Sequence, residues 1–302
     1  MYEAFFGLKE PPFSLTPNTH YFLSSETHQQ ALELLLVALR NKEGFIKITG
    51  EVGTGKTMLC RMLLNALEPP FHTAYIPNPG LSPVGLYMAV AEELGIEVDR
   101  EKGSHHLLKC IDTLLIDLAG QGRQVVLIID EAQVMSPTTI EALRLLTNLE
   151  TESSRLLQVV LFGQPELDVM LNQDNLRQLR QRITFHQRIL PLDKREVGHY
   201  VGHRLSLAGY NGPALFDNRA ISLLYRASGG IPRLVNILAH KALMSAYGQG
   251  QRVIRRSHIK RAIRDTESVA MPGFGRLPVM GGIVLLVGAT VMIGIMLGGN
   301  LL

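Results

Sequence analysis

Residues 50–57, GEVGTGKT, fit the pattern G-x-x-x-x-G-K-[ST] and stand between a β-rich run, FIKIT, and an apolar helical pattern, TMLCRMLLNAL. A strand that turns through glycines into a helix demands a parallel α/β sheet whose connecting loop faces an anion. Gly50, Gly53 and Gly55 free the backbone to bend, so that successive N–H groups along Glu51, Val52 and Thr54 turn toward phosphate oxygens. Lys56 is placed to neutralise β- and γ-phosphate and Thr57 to ligate magnesium, which makes ATP and Mg2+ the expected ligands. The bland alternative is a chance glycine turn before a helix.

A second motif argues against chance. In VVLIIDEA, five consecutive apolar residues from Val125 to Ile129 describe a strand buried on both faces, ending in Asp130 and Glu131. Both carboxylates emerge at the C-terminal edge of the sheet, where ligands bind in parallel sheets. Asp130 can then hold the magnesium shell while Glu131 polarises an attacking water. Gln164, in LLQVVLFGQPEL, follows another apolar strand at the same edge. Its amide can orient water or sense γ-phosphate, although Gly-Gln-Pro is also ordinary turn chemistry.

Downstream, RQLRQRITFHQR concentrates Arg177, Arg180, Arg182 and Arg188 around the start of a last strand. A solvated helix face explains some of them, and a finger reaching a neighbouring subunit's γ-phosphate explains the cluster, with Arg180 and Arg182 as candidates. In SGGIPRLVNIL, Arg233 falls in the first turn of a helix, where its charge opposes the macrodipole. A phosphate at that point would supply the missing partner; a plain surface arginine is the alternative.

The remaining pattern places these motifs. Strand-like runs HTAYI, QVVLIID and LLQVVLFG alternate with helical patterns near 82–94, 104–119 and 137–150, which implies βαβ units. After ITFHQRILPL the pattern turns helical, near 193–208, 217–228, 232–247 and 256–268. The first 24 residues mix aromatics with Pro11, Pro12 and Pro17 and read as an ordered extended arm rather than a helix. They contain no basic stretch leading into an apolar run, so they are not a secretion signal. Two cysteines, Cys60 and Cys110, exclude a disulfide framework and suit a reducing cytoplasm. A net charge of +3 excludes a strongly basic nucleic-acid coat.

GEVGTGKT, VVLIIDEA, the arginines of RQLRQRI and GGIPR, in this order and before a helical lid, resemble the AAA+ ATPases. The opening YEAFFGLKEPPFSLTPNTHYFLSSETHQQAL, together with GFIKITGEVGTGKT and LLQVVLFGQPELDVML, is similar to the ExeA/GspA branch, ATPases of secretion and type IV pilus systems in Gram-negative bacteria. That resemblance covers about residues 1–270. It implies an α/β fold, a P-loop NTPase parallel sheet of AAA+ type followed by an all-helical lid and a C-terminal transmembrane helix. The expected divisions are an arm at 1–24, the ATPase core at 25–191, the lid at 192–270, a hinge at 271–276 and the membrane tail at 277–302. By the same resemblance Gln164 takes the sensor-1 position, Arg233 the sensor-2 position, and Arg180 or Arg182 the finger of a homo-oligomer.

Secretion-type members continue past the membrane helix into a peptidoglycan-binding domain, whereas this sequence stops near the helix end, as the short form of MSHA-type pilus biogenesis does. Direct peptidoglycan binding is therefore not expected; the implied partner is an inner-membrane assembly protein of a pilus or secretion system. Residues 277–297 are 21 uncharged positions, about 31 Å as a helix, enough for a hydrocarbon core of roughly 30 Å. Basic residues precede this stretch and none follows, which predicts a single pass through the inner membrane with the ATPase domain cytoplasmic and the C-terminus periplasmic. Two competing classes remain: a non-enzymatic nucleotide switch, in which ATP binding fixes a conformation and hydrolysis is incidental, and a DNA-transaction ATPase, because RVIRRSHIKRAIR carries six Lys or Arg and no acid. A solvated helix near a membrane accounts for the same residues, so nucleic acid is not the expected partner.

Overall fold

The computed structural model describes residues 1–16, 19–97, 103–148 and 155–267. The hinge and membrane tail expected at 271–302 lie outside them, and among the described residues no helix is long and apolar enough to cross a membrane. Five parallel strands form one sheet: β1 (Phe45–Gly50), β2 (Phe71–Ile76), β3 (Gln124–Ile129), β4 (Leu157–Gly163) and β5 (Ile183–Ile189), in the order β2-β3-β4-β1-β5. Helices supply the crossovers, as parallel pairing requires. They are α3 (Lys56–Ala66), α4 (Pro83–Glu93), α5 (Ser104–Gly120), α6 (Pro137–Leu146), α7 (Pro165–Leu171) and α8 (Arg177–Arg182); a single turn, α1 (Glu3–Phe6), and α2 (Glu26–Arg40) precede β1.

Alternation along β3 explains the layering. Val125, Leu127 and Ile129 face a core built with α4, α5 and α6, while Val126 and Ile128 face a second core built with α2 and α3. Both faces are covered, so the apolar run needs no polar alternation. Side chains of Ser25, Ser82, Ser136, Asp193 and Asp217 each accept a hydrogen bond from a first-turn N–H and fix where their helices start; such caps contribute about 1 kcal/mol each.

Helices α9 (Lys194–Leu207), α10 (Asn218–Ser228), α11 (Pro232–Tyr247) and α12 (Arg256–Arg264) build a third core, and Tyr2, Phe6, Leu8, Phe13 and Tyr21 of the N-terminal arm belong to it. The arm therefore packs on the helical part and not on the sheet. Arg204 ties it there: its guanidinium donates to the carbonyls of Pro12 (2.6 Å) and Ser14 (3.3 Å) and lies over the Tyr21 ring.

Three expectations change. The helix expected near 256–268 ends at Arg264, with Asp265 as its C-cap. The arm is not wholly extended, because its prolines come after residue 10 and leave Glu3–Phe6 free to turn; Gly7, at φ 72°, closes that turn, its N–H donating to the Ala4 carbonyl and the Leu8 N–H to the Glu3 carbonyl. The helix expected over 137–150 ends at Leu146, where the Thr147 hydroxyl donates to the Arg144 carbonyl at 2.8 Å.

Candidate functional site

The loop from β1 to α3 is held from three sides, and its glycines answer different demands. A Cβ on Gly50 would stand 2.9 Å from Thr54 Oγ1 and 3.0 Å from the Ile189 carbonyl oxygen. Gly53 takes φ 81°, and a Cβ there would meet Arg233 Cβ at 2.6 Å. Gly55, at φ 103°, opens α3 against the His28 ring, 2.8 Å from where its Cβ would lie. The lid reaches the loop directly, since the Arg233 N–H donates to the Gly53 carbonyl at 3.3 Å.

Lys56 is buried inside this loop, where its ammonium donates to the carbonyls of Gly50 (2.8 Å) and Glu51 (3.1 Å). Burial pushes its pKa down, against the opposing pull of Glu131 and Asp130. Asp130, one residue beyond β3, is also buried, and burial pushes its carboxyl up. It accepts from the Glu131 N–H at 2.9 Å, and the nearby Thr57 hydroxyl opposes the upward shift. Ammonium, carboxylate and hydroxyl thus converge at one sheet edge.

Glu131 adopts φ 52°, ψ 37°, a left-handed conformation for a non-glycine residue, which stores roughly 1–3 kcal/mol and turns up at functional sites. Its carboxylate accepts from the Gln164 side chain at 3.1 Å and from the Gln133 side chain. Gln133 closes the ring, because its carbonyl oxygen accepts from the Gln164 backbone N–H at 2.9 Å. That bond fixes which way the Gln133 amide points. Sequence reading singled out Gln164 but not Gln133; the available signal was a second amide two residues after the paired carboxylates.

His28 was also missed. It is buried, accepts from the Ser25 hydroxyl (2.6 Å) through Nδ1 and donates to the Thr54 carbonyl (3.0 Å) through Nε2, and burial lowers its pKa. A carbonyl only accepts, so the proton sits on Nε2. Ser25, three residues earlier, was readable as a helix cap, yet nothing local connects position 28 to the loop at 54.

A cavity of about 340 Å³ runs along Gly53–Thr57 past Glu131 and is roofed by Tyr200, Arg233 and Asn236 of the lid. A larger opening, about 960 Å³, lies between α9 and α10. Volume does not decide between them: only the smaller one gathers the loop, Lys56, Glu131 and Arg233.

Arg180 and Arg182 are not gathered. Arg180 is exposed and donates to Asn172 Oδ1 at 3.0 Å, while Arg182 donates to the Thr147 carbonyl and hydroxyl at 3.3 and 3.2 Å. α8 leads into Ile183, which pairs with Phe45 at the opposite end of β1 from Gly50. The two arginines thus lie near the N-terminal edge, about 16 Å along the strand from the loop. Arg188 pairs with Glu51 at 3.5 Å, both well exposed, an ion pair of little energetic weight.

A family model described as AAA domain matches residues 39–171. The chain is 46% identical over 274 residues to General secretion pathway protein A of Aeromonas hydrophila, an alignment that takes in 90% of this chain and 50% of that protein. The chain thus spans about half the length of that relative. Among solved structures it is similar to Cdc6p from Pyrobaculum aerophilum (TM-score 0.64, 18% identity, 84% of this chain and 70% of that one). It is also similar to the Aeropyrum pernix ORC1 protein in complex with DNA (TM-score 0.62, 18% identity, 85% and 69%). The Thermotoga maritima RuvB branch migration motor is more distant (TM-score 0.51, 17% identity, 81% and 70%). At these identities the likeness is one of fold.

Proposed function

Because this chain belongs to the AAA ATPases of the ExeA/GspA branch, we propose that it binds ATP with magnesium in the cavity under Arg233 and hydrolyses it to drive assembly of a type IV, MSHA-like pilus or a type II secretion apparatus. One observation carries the catalytic reading: Lys56, Asp130 and Glu131 stand at one sheet edge, beside a loop whose Gly53 leaves no room for a side chain.

The residues fit the ligands. Backbone N–H groups of the loop and the start of α3 suit phosphate. The Thr57 hydroxyl and the Asp130 carboxylate, close enough at this sheet edge for the hydroxyl to lower the carboxyl's pKa, are the oxygen donors that magnesium takes. When bound by Thr57 and Asp130, the metal neutralises charge developing on phosphate oxygens. Lys56 leaves its carbonyl partners to pair with phosphate, an exchange favoured by a buried cation that has no carboxylate within bonding distance among the described residues. Glu131 accepts a proton from the attacking water, and the amides of Gln164 and Gln133 hold its carboxylate while it does so. Arg233 senses phosphate from the lid. Arg180 and Arg182, too far from their own loop, act on a neighbouring copy, which makes the working form a homo-oligomer.

The tail at 277–297 anchors the protein in the inner membrane, with the ATPase on the cytoplasmic side and an inner-membrane assembly protein as partner. The direct test compares Lys56→Ala with Glu131→Gln. Binding of a fluorescent ATP analogue is expected to be lost in the first and kept in the second, while phosphate release stops in both. Equal loss of binding in both variants overturns the role given to Glu131.

A further inference from the structure

α12 carries a face that nucleotide chemistry does not use. His258, Ile259, Ala262 and Ile263 make its buried stripe. On the opposite arc Arg256, Lys260, Arg261 and Arg264 are exposed, and Arg252 and Arg255 extend the patch from the preceding loop. Among the described residues none of the six makes an ion pair. The nearest carboxylates in sequence, Asp265 and Glu267, come only after the helix ends. Six unpaired cations on one face repel each other and create a field that an anionic surface relieves.

The neighbouring groups indicate which surface. Val253 is 43% exposed and Tyr247 38%. Arg252 lies over the Phe5 ring, and Phe5 meets Tyr247 edge-on. Apolar and aromatic groups interleaved with cations suit the headgroup region of a bilayer, where each basic side chain meets anionic lipid and each apolar one leaves water. From Glu267 the chain has nine residues before the uncharged stretch at 277–297 begins. Those nine, with the step into position 277, span at most about 35 Å, so a membrane that holds the stretch lies within reach of α12.

We propose that the α12 face docks on anionic phospholipid headgroups and so orients the lid against the membrane. The inference rests on the anchor reading for proximity and goes beyond it by assigning a second, electrostatic contact. The lid closes on the phosphate loop through Arg233, so a lid held at the headgroups ties nucleotide state to membrane composition.

The test uses the full chain with Cys110→Ser and a fluorophore attached through Ser257→Cys; the other cysteine, Cys60, is buried. The protein is reconstituted in vesicles of phosphatidylcholine, alone or with phosphatidylglycerol, that carry a headgroup quencher. Quenching is expected only with the anionic lipid and is expected to fade as salt rises. Joint Arg256→Glu, Lys260→Glu, Arg261→Glu and Arg264→Glu replacement is expected to lower affinity of the face for anionic vesicles at least a hundredfold, given about 1 kcal/mol per basic residue at such a surface. The four corresponding Gln substitutions give a smaller loss, and retained ATPase activity in both sets shows that the fold survives. Equal quenching in neutral vesicles, or quenching unchanged by charge reversal, overturns the proposal. So does release of the face from anionic vesicles by an equimolar DNA duplex, which would assign the patch to nucleic acid. Sedimentation with high-salt-washed vesicles reads the anchor separately. Loss of pelleting with quenching retained refutes the anchor alone, and pelleting without quenching refutes the docking face alone.

Discussion

Gly53→Ala tests the contact on which the candidate site depends. Two costs add. The residue sits at φ 81°, where an L-side chain costs about 1–2 kcal/mol. Its new Cβ would lie 2.6 Å from Arg233 Cβ, and that atom is at the root of its side chain, so helix α11 itself has to move. Overpacking of this kind costs typically 1–3 kcal/mol. Neither cost falls on the sheet cores, because the affected contact joins the loop to the lid. If nucleotide binds with the lid closed, the sum of about 2–5 kcal/mol weakens ATP binding by roughly 30-fold to several thousandfold. Gly95→Ala is the matched control: φ is 80° and nothing lies within 4 Å of its Cβ, so it carries the backbone cost alone. A fluorescent-nucleotide titration and a thermal melt on both variants separate the effects. Gly95→Ala is expected to lower Tm with affinity unchanged, whereas Gly53→Ala is expected to lose affinity. Parent-like nucleotide affinity in Gly53→Ala would refute the reasoning, and so would an equal loss in both variants.

Gln133→Ala removes one of the two amides on the Glu131 carboxylate, a bond to a charged group worth about 1.5–3 kcal/mol. It is expected to cut kcat at least tenfold with KM within a factor of two, which steady-state kinetics resolves. Mixing an inactive Arg180→Ala, Arg182→Ala variant with Lys56→Ala is expected to restore ATPase activity; persistent inactivity of a co-assembled mixture removes the arginines from catalysis in trans. Burial lowers the pKa of His28, His186, His203, His240 and His258 below the ordinary 6.5. The unfolded chain then binds more protons than the folded one, so Tm is expected to hold above pH 6.5 and to fall as pH drops below it. His28→Gln, which keeps a donor toward Thr54, is expected to flatten part of that slope.

The parts of the site that sequence exposes are those whose chemistry is local. GEVGTGKT needs only its own backbone turn and the helix that follows. VVLIID declares a doubly covered strand by composition, so the position of Asp130 at its end follows without tertiary information. What stayed hidden depends on approach across the chain. His28 meets Thr54 from 26 positions away, and Arg204 holds the Pro12 carbonyl from 192. No period or cap carries such pairings. α7 and α8 were indistinct for a different reason: at seven and six residues they are too short to show a helical period. The arginine cluster was visible, but its place at the N-terminal edge emerged only from the register of β5 on β1.

The packing also divides the molecule in a way that the linear order conceals. The arm precedes the sheet in sequence, yet its aromatics share the core of α9–α12, and Arg204, buried without an acidic partner among the described residues, holds it there through carbonyls and the Tyr21 and Tyr200 rings. Arm and lid therefore make one body, and the sheet with α2 makes the other. The Gly50–Thr57 loop belongs to the sheet, where His28 braces it, while Tyr21, Tyr200 and Arg233 wall the same cavity from the opposite side. A nucleotide held there would touch both bodies at once. Its binding free energy would favour whichever relative position lets Gly53 and Arg233 meet, and loss of the γ-phosphate would withdraw part of that preference. Any shift of arm and helices against the sheet would carry α12, with its exposed Arg256, Lys260, Arg261 and Arg264, along with it.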